Sequence, residues 1–535
     1  MLRRRSGRSQ QPIWRSGGLL ARLARDIAGN TLAIMAAALI PLTAMIGSGV
    51  DMSRAYLAQN RLQQACDAAA LAGRRVMTTG TADAAVTAEA TKFFNFNFPQ
   101  GKYQTAAFTP SISASGGNTV IVTASTTIPT AIMKIFGKRT LPISATCNAR
   151  QDYVNTDVVL VLDNTGSMNC APGADASCSS SYEVSGSKMQ GMRDAVMALY
   201  DALTPAQTQL QAAGLRLRYG IVPFSSTVNV GKLVYGLSHQ YINSKSNYEQ
   251  CSSTDRYGNC TAYSPTAVNH PASWLNSSNW SGCIEEAGTN SSITTASGMS
   301  IPSDANDLNV DLVPQNGSSA AAQKTQWAVF DTTAEQADTW GSSPCPTQAV
   351  ALQAFTRSNL LTYMNSLSAG GGTMTDVGMV WGGRMLSRAG IWSSLNPITY
   401  NSMPINQYII LMTDGGITAY ASYYGAYGVE NYDHRADGTP YPCGSQSSGE
   451  CVADSQIHRQ RFSMICNEIR GEGVSIWAIG FGQSFSGGSD PSGDTQALSG
   501  CASNSNQVAY ITDSQSLIDK FTQIGNQIGS LRITQ

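Results

Sequence analysis

The sequence predicts an α/β protein. An N-terminal transmembrane helix and a small α+β region precede a doubly wound, mainly parallel, Rossmann-like sheet with loop insertions. Three observations lead there. An arginine-rich start is followed by a long run without charge. From about residue 153 short apolar runs alternate with amphipathic segments, the rhythm of strands and crossover helices. Two polar stretches, 236–345 and 415–455, interrupt that rhythm and read as insertions.

Residues 1–25 carry seven arginines and no acid, and no residue from Ile27 to Val50 is charged. As a helix that run would span about 36 Å at about 1.5 Å per residue, enough for a bilayer core of about 30 Å. Arginines on one side only predict a cytoplasmic tail (1–25), a single-pass membrane anchor (26–50) and an exported body, periplasmic or extracellular. A cleaved secretory leader is the first alternative, although the apolar run is longer than a usual leader core. A prepilin-type leader cut after Gly29 is the second; it normally has an acid five residues into the mature chain, where Ile34 stands.

Composition agrees with export. Charged residues make up 13% of the chain, about half the globular norm of about 25%. A net charge of -1 argues against a nucleic-acid binder. The 12 cysteines include no CxxC of metal spacing, which favours disulfides over zinc. Cys170/Cys178, Cys251/Cys260 and Cys443/Cys451 would close short loops, leaving Cys66/Cys147, Cys283/Cys345 and Cys466/Cys501; spacing alone does not fix this connectivity.

The membrane helix is expected to continue through Asp51–Val76, where Leu62, Ala65, Ala69, Ala72 and Val76 make a narrow apolar stripe. After Gly80 alternation takes over, as in Asn118–Ala124 and Leu141–Ala145, so 51–152 reads as a long helix packed on a small sheet. In 153–535 the first strand is Asp157–Leu162 and the first helix Lys188–Leu203. Arg216–Phe224 and Thr227–Leu233 read as a strand pair, and Gln348–Leu367 and Asp376–Leu386 as helices. Strands at Tyr408–Met412, Val474–Ile479 and Val508–Ile511 follow, with helices at Gln456–Arg470 and near the C-terminus, where Leu517, Phe521, Ile524, Ile528 and Leu531 share one face. An antiparallel Thr227–Leu233 would send the 236–345 insertion out at the edge away from the first strand's carboxyl end. Loops 168–186, 415–455 and 481–507 would leave at that carboxyl end.

Chemistry concentrates at this edge. Asp163-Asn164-Thr165-Gly166-Ser167 follows the apolar run Val158–Leu162, and Thr413-Asp414-Gly415 follows Ile409–Met412. In an open α/β sheet both would be delivered to the carboxyl ends of strands, where ligands bind. Thr373 follows two glycines and offers a further hydroxyl, with Thr375 its alternative. Asp163, Thr165, Ser167, Thr373 and Asp414 form a hard-oxygen set suited to Mg²⁺, or to Mn²⁺ or Ca²⁺. Two carboxylates leave such an ion short of negative charge, and an acid from a partner would complete its shell. The four histidines show no catalytic spacing, and neither a hydrolase elbow nor a phosphate loop is present. A small-molecule substrate is therefore not expected.

Two resemblances sharpen this picture. Arg25–Gly29, the uncharged run and Asn60–Ala72 (NRLQQACDAAALA) resemble the start of TadE/TadG-like pilus-assembly proteins. Asp163, Thr165, Ser167, Thr373 and Asp414, in that order of elements, resemble the Asp-x-Ser-x-Ser, Gly-Gly-Thr and Thr-Asp-Gly motifs of von Willebrand factor type A domains. Thr165 stands where that pattern has serine. These resemblances imply a non-enzymatic component of Tad (Flp) pilus assembly or related secretion, anchored in a bacterial inner membrane with its body in the periplasm and engaging other proteins of that apparatus through a metal-dependent adhesion site. The alternative they leave open is a surface adhesin using the same ion on external ligands.

Overall fold

The computed structural model describes residues 27–77, 81–115, 119–151, 154–174, 181–256, 260–331, 344–420, 423–436, 452–482, 493–529 and 533–534. The basic tail, Cys178, Trp340, Cys443 and Cys451 lie outside them, as do parts of the three loops expected at the sheet edge. The chain divides into two compact units at Asp152/Tyr153, the last residues returning to the first unit.

The first unit is built on one helix, α1 (Ile27–Val76), which runs without a break from the uncharged segment into the alanine-rich stripe. Its N-terminal half presents apolar side chains outward, and Ile34, Met35 and Met45 are each more than 60% exposed. Its C-terminal half buries Leu62, Ala65, Cys66 and Ala69 against a sheet. A second helix, α2 (Ala84–Asn97), replaces the expected alternation after Gly80. Asp83 caps it by accepting the Val86 N–H at 3.0 Å, and Val86, Ala90 and Phe94 form its buried stripe. The sheet consists of β1 (Ser111–Ser115), β2 (Thr119–Pro129) and β3 (Thr140–Gln151), all antiparallel, with Ile533–Thr534 added beside β3. The Cys66–Cys147 disulfide ties α1 to β3.

The second unit starts with β4 (Asn155–Asp163), α3 (Lys188–Ala212) and β5 (Leu217–Phe224). After the 236–345 insertion come β6 (Val350–Gln353), α4 (Arg357–Asn365), α5 (Thr375–Leu386) and β7 (Met403–Thr413). The chain ends with α6 (Val452–Gly471), β8 (Ser475–Phe481), α7 (Asp494–Cys501), β9 (Val508–Ile511) and α8 (Ser514–Gly529). Sheet order is β6-β5-β4-β7-β8-β9, with Thr399–Tyr400 pairing on β7. Only β6 is antiparallel within that path.

Strand alternation explains the two-sided winding. Val159, Val161, Ile409 and Leu411 face α5 and α6, while Val158, Leu160, Ile410 and Met412 face α3, α4 and α8. Strands buried on both sides read as continuous apolar runs, which is how β4 and β7 appear in the sequence.

Two expectations fail here. Thr227–Leu233 is not a strand: one bridge joins Phe224 to Val228, and the chain then turns into the helix Gly231–Leu237. The antiparallel edge is β6, taken from the first part of what read as the helix Gln348–Leu367. Because no strand carries the chain back across the sheet, the insertion departs at the carboxyl end of β5. It borders the edge it was expected to avoid. The Thr227 hydroxyl donates to the Ile284 carbonyl at 2.8 Å, and Pro344 lies against Gly370.

Candidate metal centre

The parallel register of β4 and β7 pairs Leu162 with Met412, so the two strands end side by side. Asp163 closes β4, Thr413 closes β7, and Asp414 comes one residue later. The Thr413 hydroxyl donates to Asp163 Oδ2 at 2.7 Å, and the Asp414 N–H points at the same oxygen from 3.4 Å. Asp163 Oδ1 accepts the Thr165 N–H at 2.8 Å, which folds the following turn over the strand end. The Thr165 and Ser167 hydroxyls are 3.1 Å apart, and Ser167 Oγ donates to Asp414 Oδ1 at 2.8 Å. Four of the five expected residues are therefore joined in one hydrogen-bonded cluster.

Thr373 lies on a strap tied to the same turn. The Gly166 N–H donates to the Gly371 carbonyl at 3.1 Å, and the Gly370 N–H to the Asn164 carbonyl at 2.8 Å. Gly371 has φ +86°, and a Cβ there would also meet Ser225 Oγ at 3.2 Å. The Thr373 carbonyl accepts the Thr418 N–H at 2.9 Å, holding the strap to the segment after Asp414. The Thr373 hydroxyl makes no hydrogen bond to the other four residues. Thr375 Oγ1 is buried without a hydrogen-bond partner.

One functional group escaped the sequence reading. Lys188, the first residue of α3, is buried, and its Nζ lies 2.7 Å from Asp414 Oδ2. A cation at a helix N-terminus opposes the helix dipole, and an isolated lysine there, one residue after the Ser187 cap, was the available signal. Gly482, at the end of β8 with φ +136°, makes the room; a Cβ would come 3.2 Å from the Asp414 carbonyl and 3.7 Å from Lys188 Nζ.

Electrostatics at the edge are unbalanced. Asp163 and Asp414 are fully enclosed, and among the described residues the one cation at this edge, Lys188, is paired with Asp414. Burial, then the Asp163 charge, push the Asp414 carboxyl up to about 7, against the pull of Lys188 and Ser167. Burial raises Asp163 too, opposed by its hydrogen bonds from Thr165 and Thr413. Two carboxylates and two hydroxyls within hydrogen-bond distance are a donor set that fits a small hard dication. Among the described residues no group of three or more His, Cys, Asp or Glu side chains has metal-binding geometry, so the hydroxyls are indispensable to that fit.

Residues 29–88, spanning most of α1 and the start of α2, match the family model for TadE/G-like Flp pilus-assembly proteins. Residues 29–88 therefore form a TadE/G-like segment. No curated protein is significantly similar to it in sequence. Among solved structures, the chain is similar to the pilus adhesin SpaC from Lactobacillus rhamnosus GG, at 12% identity and a TM-score of 0.32 over 80% of this chain and 36% of SpaC. It thus spans about a third of SpaC. Similarity also extends to the vWF domain of the type V pili tip protein Mfa5 from Porphyromonas gingivalis (11% identity, TM-score 0.31, 72% of this chain and 98% of that one). The PilB minor pilin from Streptococcus sanguinis gives 12% identity and a TM-score of 0.32 over 80% and 79% of the two chains.

The three pairings Cys66–Cys147, Cys283–Cys345 and Cys466–Cys501 are formed. His458 does not lie at the surface. It is fully buried on α6, with Nδ1 2.7 Å from Asp376 Oδ2.

Proposed function

We propose that this Tad-related protein is a membrane-anchored, non-enzymatic component of Flp pilus assembly or a related secretion apparatus. Its second unit would engage an acidic group on a protein partner through a divalent cation held by Asp163, Thr165, Ser167, Thr373 and Asp414. The observation that carries the binding mode is the charge imbalance at the sheet edge: of two adjoining enclosed carboxylates, only Asp414 has an ammonium partner among the described residues. Bound there, Mg²⁺ would supply a Lewis-acidic centre able to accept one more anionic oxygen. Summed over Asp163, Asp414, Lys188 and the dication, the net charge is one positive unit, which a single partner carboxylate neutralises. Ser167 and Thr165 orient the edge by hydrogen bonding, and Thr165 keeps the hydroxyl that the serine of the resembled pattern provides.

Anchoring is supported by the exposed apolar surface of α1, the one described helix long and apolar enough to cross a membrane. The disulfides support an oxidising compartment for both units.

The test is affinity capture from solubilised membranes, comparing wild type with Asp163→Ala/Asp414→Ala, with and without Mg²⁺. Loss of the same partner on substitution and on chelation is expected; an unchanged partner set removes the ion from the mechanism. Protease treatment of intact cells checks the location. Protection is expected until the outer membrane is permeabilised, whereas digestion in intact cells would favour the adhesin reading.

A further inference from the structure

The β2–β3 hairpin ends in a turn whose position along α1 is fixed by successive contacts. Cys147 is bonded to Cys66, and the Ser144 N–H donates to Gln59 Oε1 at 3.1 Å. The N–H groups of Ala131, Ile132 and Met133 donate to the Asp51 carboxylate at 2.6, 3.0 and 2.8 Å. Ile132 then packs so closely on Gly47 that a Cβ on that glycine would overlap its side chain. Stepping from the base of the hairpin to its tip therefore steps from the soluble end of α1 toward its uncharged run. Asp51 is the first charged residue after that run, and Gly47 lies about 6 Å inside it at about 1.5 Å per residue.

The tip is built to be rigid and apolar. Thr130 Oγ1 donates to the Lys138 carbonyl at 2.6 Å, and Gly137, with φ +86°, closes the turn. Ile135 is 74% exposed and Phe136 39%, although both are large hydrophobics at the end of a well-tied loop. Lys134, Lys138 and Arg139 surround them, all exposed, and no acidic residue occurs from Thr119 to Gln151. On α1 itself Met52, Tyr56 and Leu57 remain at least 58% exposed just beyond Asp51, an apolar and aromatic collar at the same level.

We infer that the Ala131–Arg139 turn is a second membrane contact, with Ile135 and Phe136 seated in the interfacial layer and Lys134, Lys138 and Arg139 on anionic lipid headgroups. This rests on α1 spanning the bilayer, as proposed above. Lipid is the occupant because the turn packs on the uncharged run itself, where bilayer surrounds the helix. Its depth fits, since interfacial elements bury apolar groups about 5–10 Å deep, and basic residues next to them draw anionic headgroups. A helix with one turn beside it touching the bilayer has two points of attachment, so the small sheet is held against the membrane instead of swivelling about α1.

The test places an environment-sensitive fluorophore, one position at a time, on Ile135→Cys, Met35→Cys or Ser113→Cys in the full chain. Each is reconstituted in phosphatidylethanolamine/phosphatidylglycerol vesicles containing lipids quenched near the headgroup or at mid-chain. Ser113 lies on exposed β1, toward the opposite end of the sheet from the turn. The probe at 135 is expected to be blue-shifted and quenched about twofold more by the headgroup-level quencher than by the mid-chain one, with the order reversed at 35 and neither effective at 113. Lys134→Gln/Lys138→Gln is expected to lower quenching at 135 in these vesicles but not at 35. Quenching at 35 with 135 behaving like 113 overturns the turn contact and leaves the anchor standing. No quenching at 35 or 135 overturns both. Equal quenching at all three positions, the mark of indiscriminate adsorption, also overturns it.

Discussion

Two buried acidic regions of the second unit handle charge in opposite ways. Where the insertion docks, each of three acids has its own arginine. Glu285 pairs with Arg435 and Glu286 with Arg384, both at 2.9 Å, and Asp307 pairs with Arg461 on α6. The Arg384 guanidinium also lies over the Trp381 and Trp327 rings, 4.6 and 5.1 Å from their centroids. At the sheet edge, among the described residues, Asp414 pairs with Lys188 while the neighbouring Asp163 accepts hydrogen bonds only from Thr165, Thr413 and the Asp414 N–H. Buried ion pairs with matched partners hold structure together; surplus carboxylates at strand ends leave a demand for another cation. The first arrangement is therefore read as a clamp on the insertion and the second as a binding site.

That contrast is broken most directly by removing one cation from the clamp. Arg384→Met leaves Glu286 buried without its partner, and a loss of about 3–5 kcal/mol in denaturant unfolding is expected. Pairing it with Glu286→Leu removes both charges and is expected to recover most of that loss, because an apolar pair of similar volume carries no desolvation penalty. Failure to recover would show that the Trp381 and Trp327 packing matters more than the charge.

At the sheet edge the effect should be far smaller. Asp163→Asn removes one of two like charges while keeping Asp414 paired to Lys188. The metal-free protein is expected to change by no more than about 1 kcal/mol, because relief of the buried charge offsets the loss of one hydrogen bond that an amide cannot accept. Stabilisation by Mg²⁺, about 2.7 kcal/mol for wild type at an ion concentration 100-fold above Kd, is expected to vanish. Thermal unfolding with and without the ion reads both. A strongly destabilised metal-free variant would mean that the edge is a structural clamp like the other.

What the sequence made legible follows the same division. Asp163 and Asp414 were found because each directly follows an apolar run long enough to be a buried strand, so their placement needed only parallel pairing. The clamp was hidden because its partners lie 150, 98 and 154 residues apart, and nothing local marks Glu285, Glu286 or Asp307 as buried. Lys188 was missed although its position against the helix dipole was a usable sign. β6 was absorbed into a helix because Val350-Ala351-Leu352-Gln353 is short and mostly half-buried, with no alternation to separate it from α4. Asp83, the cap that begins α2, was passed over amid alanine, threonine and phenylalanine. The side from which the insertion leaves depends on Thr227–Leu233, whose alternation mimics a strand although Gly231–Leu237 is helical.

His458 sharpens the contrast through pH. Burial pulls its imidazole down, but the charge and hydrogen bond of Asp376, with Asp454 and Glu430, outweigh this and hold it at about 9 against an ordinary 6.5. A raised histidine contributes stability that is complete below its ordinary value and is lost as pH rises through the folded one. Stability is therefore expected to fall between about pH 7 and about pH 9, by at most about 1.4 kcal/mol per pH unit. His458→Gln should flatten that fall. Glu285 and Asp414, each raised to about 7 and for both chiefly by burial, act with the same sign, but below that window. Unfolding midpoints measured across this range in wild type and variant check it, and an unchanged slope would take His458 out of the account.

The smallest effect is expected at Thr165, where the chain departs from the serine of the resembled motif. Its side chain is 1% exposed, and its hydroxyl lies 3.1 Å from Ser167 Oγ. Thr165→Ser keeps that hydroxyl and removes one buried methyl group, so metal-free stability should drop by about 1 kcal/mol. If the methyl crowds the ion, the same change should raise Mg²⁺ affinity, by up to about tenfold or 1.4 kcal/mol. Titration calorimetry on wild type and variant separates the two terms. A stability loss with unchanged affinity makes the methyl a packing group and leaves the oxygen as the whole of Thr165's part in the site. A gain in affinity would mean that this chain holds its ion more loosely than its ligand set allows, which suits a contact that must be released as assembly proceeds.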